Sequence, residues 1–124
     1  MGLKKGKILI VEDEESIARA EGLILEGSYE IHFASDGEQG LRLAKALMPD
    51  LIILDLMLPK RGGYDLCFNI RQEPTLAKTK IIMVTAKNLQ VDRDKGMFVG
   101  ADHYITKPFE PEELVSAVKT HLKT

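Results

Sequence analysis

Three runs of four uninterrupted apolar residues, at positions 8–11, 51–54 and 81–84, alternate along the chain with stretches of amphipathic, helix-like pattern. Runs so short and so evenly apolar suit strands covered by helices on both faces. Two further runs are more mixed: residues 31–34, whose polar content fits a sheet edge, and the shorter residues 103–105. Strand–helix alternation of this kind implies a parallel sheet with right-handed crossovers, a three-layer α/β sandwich. Periodicity alone does not order the strands.

The intervening stretches carry helix signals. Ile17, Ala20 and Ile24 form an apolar stripe behind Glu14 and Glu15, acids that favour a helix N-terminus. Ser35, with Glu38 three residues on, reads as a capping box, and Leu41, Ala44 and Met48 continue that helix to Pro49. Leu66 and Ile70 mark a third helix ending before Pro74. Pro111 takes a first helical position ahead of Leu114, Val118 and Leu122. Residues 88–99 have the poorest periodicity and hold Gly96 inside, which predicts a comparatively mobile helix.

A length of 124 residues, 44% hydrophobic and 29% charged, suits one globular domain over residues 1–124. The net charge of −2 gives no electrostatic reason for direct contact with nucleic acid or an anionic membrane. The basic residues 1–7 precede only four apolar residues, too few for the roughly 7–15 of a secretory signal. No stretch approaches the roughly 20 apolar residues of a membrane span. Cys67 is the only cysteine, so no internal disulfide can form, and the expectation is a soluble, cytoplasmic protein.

Ligands of an open parallel sheet bind beyond the carboxyl ends of its strands. Glu12 and Asp13 follow the first strand, Asp55 the third, Thr85 the fourth, and Lys107 with Pro108 the fifth. Each alone has an ordinary explanation, since acids cap helices, threonines satisfy local backbone and lysines are solvated. Together they send three carboxylates, a hydroxyl and an ammonium to one edge, which calls for a common cause. A hard divalent cation relieves repulsion among carboxylates, and Mg²⁺ takes oxygen ligands, waters, and one or two carboxylates plus a phosphate. A carboxylate can also act as nucleophile and form an acyl phosphate. Phosphoryl transfer then depends on positioning and on neutralising charge at the phosphoryl oxygens. Asp55, alone after a central strand, is the candidate nucleophile; Glu12 and Asp13 suit the metal, Lys107 the charge, and Thr85 a hydrogen bond.

The segments Val11-Glu12-Asp13-Glu14, Asp55-Leu56-Met57-Leu58-Pro59 with Gly63, Val84-Thr85-Ala86, Gly100-Ala101-Asp102 and Tyr104-Ile105-Thr106-Lys107-Pro108-Phe109 carry a family resemblance. In order and spacing, over about residues 7–122, the chain resembles the response-regulator receiver domain of two-component signalling, the CheY-like, flavodoxin-like fold. That resemblance implies five helices around a five-stranded sheet of order 2-1-3-4-5. It implies Asp55 as acceptor of a phosphoryl group from a phosphohistidine on a histidine kinase or histidine phosphotransfer protein, with Mg²⁺ as cofactor. Asp13, Asp55 and the Met57 main-chain carbonyl would hold the metal directly, and Glu12 through water. Thr85 would move toward the phosphate, Tyr104 would rotate inward behind it, and Lys107 would pair with it, with the Lys107–Pro108 bond cis. The fourth helix, fifth strand and fifth helix would form the face that acts on a partner or output domain. Such a domain is a regulator and not a turnover enzyme, although it catalyses its own phosphoryl transfer and slow dephosphorylation.

Departures from the family pattern sharpen these expectations. Gly62 stands where the family often has an aspartate, so the third helix loses a side-chain cap. Met57 and Lys87 occupy the positions that tune the lifetime of the acyl phosphate, and neither offers an acid or carboxamide to orient water. Slow self-dephosphorylation is therefore expected. Phe98, His103, Ser116 and Val118 stand where regulators with winged-helix DNA-binding domains tend to carry a charged dimer network, so a monomer or a weak phosphorylation-dependent dimer is expected. Other classes fit less well. A flavodoxin-type flavin site would be repelled by Glu12, Asp13, Glu14 and Glu15, and a haloacid-dehalogenase-like phosphatase needs an acid where Met57 stands. A phosphorylation-independent adaptor sits badly with an intact Asp13, Asp55, Thr85 and Lys107.

Overall fold

The computed structural model describes residues 5–122; of the basic opening segment, residues 1–4 lie outside them. Strands β1 (Gly6–Val11), β2 (Tyr29–Ala34), β3 (Leu51–Leu54), β4 (Lys80–Thr85) and β5 (His103–Thr106) alternate with α1 (Glu15–Leu25), α2 (Gly37–Leu47), α3 (Gly63–Arg71), α4 (Gln90–Val99) and α5 (Pro111–His121). All pairings are parallel and the order is β2-β1-β3-β4-β5. The expected doubly covered sheet is what forms. Leu9, Val11, Ile52, Leu54, Ile81 and Met83 pack on one side, with Leu66, Cys67 and Ile70 of α3. Ile8, Ile10, Leu51, Ile53, Ile82 and Val84 pack on the other, with Ala18 and Leu25 of α1 and Leu114 and Val118 of α5. Successive strand residues face opposite sides, so a strand buried on both must be apolar at every position. No described helix is long and apolar enough to cross a membrane.

The helix phases differ from the sequence pattern in two places. In α1 the buried residues are Ala18, Glu21, Gly22 and Leu25, while Ala20 is exposed, so the inner stripe lies one position off the expected one. Ile17 and Ile24 only flank it. In α2 the N-cap is Asp36, whose carboxylate accepts from the Gln39 amide at 2.8 Å. Gln39 Oε1 in turn accepts from the Ser35 amide at 2.7 Å. The expected Ser35–Glu38 box is therefore replaced by one shifted a residue onward, because an aspartate caps as well as a serine and Gln39 reaches back as Glu38 would have. Met48 ends α2 in a left-handed conformation (φ 48°) with its side chain exposed, not as part of the apolar stripe. Other expectations hold: β2 is an edge strand, Pro111 opens α5, and Gly62 leaves α3 without a side-chain cap. The Lys107–Pro108 peptide is cis.

Two close approaches set the upper and lower ends of the α3–α4 side. Gly63 begins α3 so near the third strand that a Cβ there would lie 2.5 Å from the Asp55 carbonyl oxygen and 2.6 Å from Leu56 Cα. At the other end of α3, the Arg71 guanidinium donates to the Gly100 carbonyl (2.9 Å), the Thr79 carbonyl (2.7 Å) and the Asp102 carboxylate (2.8 Å). Asp102 also accepts from the Ile81 amide at 2.8 Å, which ties the turn after α4 to β4. The contact at Gly63 is with backbone, which cannot move aside cheaply. Gly63→Ala should therefore cost on the order of 2 kcal/mol by overpacking and displace the Asp55 loop. Equilibrium denaturation checks the first effect and amide shifts of residues 55–57 the second; unchanged values for both would contradict the packing described.

Candidate functional site

The sheet's hydrogen-bond ladder runs one rung past three strands, and those rungs hold the site. The Glu12 amide donates to the Ala34 carbonyl (3.0 Å), Asp55 to the Val11 carbonyl (3.1 Å) and Lys107 to the Thr85 carbonyl (2.8 Å). Backbone position is thus fixed before any side chain is considered. Glu12 is 4% exposed, Asp55 8% and Thr85 fully buried. Thr85 itself is the last residue of β4 and not, as its sequence suggested, the first beyond it.

Lys107 joins the two buried acids. Its ammonium lies 2.8 Å from Glu12 Oε1 and 2.9 Å from Asp55 Oδ2. The other Asp55 oxygen accepts from the Met57 amide at 3.1 Å, and the other Glu12 oxygen accepts from the Glu14 amide, at the start of α1, at 3.2 Å. Burial works to raise the Asp55 carboxyl, but the Lys107 ammonium, the Met57 amide and the Thr85 hydroxyl outweigh it and hold the group below its ordinary range. For Glu12 burial wins over Lys107 and the Glu14 amide, and its carboxyl is pushed up. Burial also opposes the Lys107 charge, and its bonds to Glu12 and Asp55 more than offset that. Of the two acids sharing one ammonium, Asp55 is thus shifted toward its ionised form and Glu12 toward its protonated form.

The remaining expected residues spread outward. Asp13 is exposed at the loop beyond β1, next to Glu12 in the chain and outside the Lys107 bridge. The Met57 side chain is 61% exposed, and only its backbone engages Asp55. Lys87 has an exposed side chain, but its amide donates to Thr85 Oγ1 at 3.4 Å and its carbonyl accepts from the Tyr104 hydroxyl at 2.8 Å. Tyr104 already lies inward, 7% exposed, and burial pushes its phenol up to about 12. Among the described residues no three His, Cys, Asp or Glu side chains stand around one point as a ready metal set.

One group near the site escaped the sequence reading. Glu21, on the inner face of α1, is 2% exposed, and its Oε2 has no hydrogen-bond partner. Burial, followed by the charges of Glu12 and Asp55 acting against Lys107, raises its carboxyl from 4.5 to about 8. The signal was present as an acid in phase with Ala18 and Leu25, and was hidden by the choice of stripe.

With this geometry in view, the chain belongs to the response regulator receiver domain family, which it matches over residues 8–119. It is 46% identical over 118 residues to the alkaline phosphatase synthesis transcriptional regulatory protein PhoP of Bacillus subtilis, covering 94% of this chain and 48% of that protein. The chain thus spans about half the length of such curated relatives. The charge argument against nucleic acid speaks only for these 124 residues, since relatives of twice the length are named transcriptional regulators. A response regulator from Chloroflexus aurantiacus superposes with a TM-score of 0.92 at 38% identity, covering 98% of this chain and all of that one. The receiver domain of a sensor histidine kinase from Pseudomonas aeruginosa, described with a magnesium ion coordinated in its active-site cleft, gives 0.89 at 30% identity, covering 97% of this chain and 99% of its own.

The buried acid of α1 makes a stability prediction. Folded Glu21 keeps its proton to about pH 8, whereas the unfolded chain loses it near 4.5, so its penalty is absent below pH 4.5, grows with pH and is complete above 8. Glu21→Leu should stabilise the fold by on the order of 3 kcal/mol more at pH 7 than at pH 4. Denaturant melts of both proteins across that range check it; a gain independent of pH would show that the acid is not held neutral.

Proposed function

We propose that this chain is a phosphorylation-activated switch in which Asp55 takes a phosphoryl group from a histidine kinase or histidine phosphotransfer protein. The observation that carries this reading is the Lys107 ammonium set between buried Glu12 and ionised Asp55 at the carboxyl edge of the sheet. An Asp55 oxygen attacks phosphorus while the phosphorus–nitrogen bond of the phosphohistidine breaks. The imidazole leaves with its electron pair and is protonated, and Asp55 becomes an acyl phosphate. Lys107 is placed to follow the new negative charge, and Thr85 to donate its hydroxyl to it.

The acid-lined edge fits Mg²⁺ by its chemistry: all candidate donors are oxygens, and Lys107 is the only cation bonded to either buried acid among the described residues. Asp13, Asp55 and the Met57 carbonyl would hold the ion, and Glu12 through water. No ready three-acid set is present, so water and phosphoryl oxygen would complete the shell, as is usual for this ion. When bound, it neutralises charge on the phosphoryl oxygens. The neighbour from Pseudomonas aeruginosa, with magnesium in its cleft, supports the assignment. The chain acts as a regulator, with no turnover beyond its own transfer and its own slow dephosphorylation.

The outgoing signal is assigned to α4, β5 and α5. Phe98 on α4 is 90% exposed, Val91 and Met97 on the same helix and Leu89 at its N-cap are at least half exposed, and such apolar exposure suits a partner protein or an output domain. Of the residues standing at dimer-network positions, Val118 is fully buried in the core and belongs to no surface. His103 sets its ring against that of His121, centroids 5.4 Å apart.

Incubation with acetyl phosphate and Mg²⁺ should add one phosphoryl group by intact mass, lost in Asp55→Asn and without the metal. An adduct that persists in Asp55→Asn refutes the assignment. The phosphorylated form should survive for minutes or longer, because neither the Met57 nor the Lys87 side chain offers an acid or carboxamide to hold a water on the phosphorus; a half-life of seconds contradicts this. Sedimentation equilibrium of the beryllofluoride form should show no tight symmetric dimer.

A further inference from the structure

Tyr64, in the first turn of α3, belongs to none of the motifs and to none of the chemistry above, yet it holds α4 at two points. Its hydroxyl donates to the Asp92 carbonyl in the first turn of α4 at 3.0 Å. The Lys95 ammonium lies 4.5 Å from the centre of its ring, on the same helix. Tyr104 meets the same region from the β5 side, its hydroxyl donating to the Lys87 carbonyl in the loop before α4 at 2.8 Å and its ring lying under the Arg93 guanidinium of α4 at 5.2 Å. The two phenols are close enough to act on each other electrostatically. Gly96 completes the fit, since a Cβ there would lie 2.8 Å from Met83 Sδ and 3.1 Å from the Tyr104 ring. The helix whose sequence read as weak is thus seated against two aromatic rings without slack.

These contacts line up into a continuous set of groups reaching from Asp55. The Thr85 hydroxyl stabilises the Asp55 carboxylate, and the Lys87 amide donates to that hydroxyl. The Lys87 carbonyl takes the Tyr104 hydroxyl, Tyr104 neighbours Tyr64, and Tyr64 bonds Asp92. We infer that Tyr64 is a positioning residue of the switch: by holding the first turns of α4 against Tyr104, it favours the placement of Lys87 and Thr85 that serves Asp55. This rests on Asp55 being the phosphoacceptor. A contact made in one arrangement and lost in another biases the equilibrium between them, and the site and α4 then influence each other reciprocally.

The test compares wild type, Tyr64→Phe, Tyr104→Phe and the double variant, by calorimetric titration with beryllofluoride and Mg²⁺ and by amide spectra of α4. Tyr64→Phe keeps the ring and removes one hydrogen bond, so it should weaken beryllofluoride binding roughly five-fold, the factor one net hydrogen bond is worth. The double variant should lose less than the product of the single losses, as for two groups acting on one element. At saturating beryllofluoride the α4 amides of Tyr64→Phe should return to their wild-type positions. A purely structural role predicts a lower melting temperature with unchanged beryllofluoride affinity, and that result overturns the inference. So do independent, multiplicative losses, or α4 amides that fail to return. Absence of binding to wild type would instead sink the phosphoacceptor reading itself.

Discussion

Everything at the site depends on one ammonium shared by two buried carboxylates. Lys107 reaches Glu12 across 95 residues of chain and Asp55 across 52, so no local segment can assemble the arrangement. Only the assembled sheet, with β1 between β2 and β3 and β5 on the far side of β4, brings the three together. Removing Lys107 would leave two buried carboxylates facing one another with no cation between them, which is expensive. The polar cluster is tolerated at the edge of an apolar core because each member's backbone continues a neighbouring strand's ladder. Positioning comes from the main chain and charge balance from the side chains.

Most of this was legible because a doubly covered strand leaves an unambiguous mark. Residues 51–54, short and wholly apolar, suit a buried strand, and an acid straight after them stands at the sheet's edge. The strand order came from family resemblance and not from periodicity, which carries no information about neighbours. Helix phase was less legible. In α1 the residues Ile17, Ala20 and Ile24 make a plausible stripe, but burial follows Ala18, Gly22 and Leu25, because small residues let the helix approach the sheet. Reading the wrong phase also hid Glu21, which looks like a surface acid in one register and a core acid in the other. Tyr64 was invisible for a different reason: its partners, Asp92 and Lys95, are met only through the packing of α3 on α4.

Glu21 and the Lys107 cluster treat the same difficulty in opposite ways. Lys107 keeps Asp55 charged by supplying a partner; Glu21 has none and is kept neutral by its proton. A buried acid without a hydrogen bond works against folding, so the α1 face beside the Lys107 cluster carries a cost that the cluster itself avoids.

Arg71 has a mechanical consequence. Its three bonds fasten the turn that follows α4 to α3 and β4, so the C-terminal end of that helix is an anchored point. Toward the other end the helix is met by the Tyr64 hydroxyl on the Asp92 carbonyl and by the ring faces of Tyr104 and Tyr64 under Arg93 and Lys95. The two ends of α4 are thus held by different kinds of contact, a multiply bonded guanidinium at one and aromatic rings with a single phenol hydroxyl at the other. Phe98 lies near the fastened end and Leu89 and Val91 at the other, so the exposed apolar residues at the two ends of α4 rest on different supports.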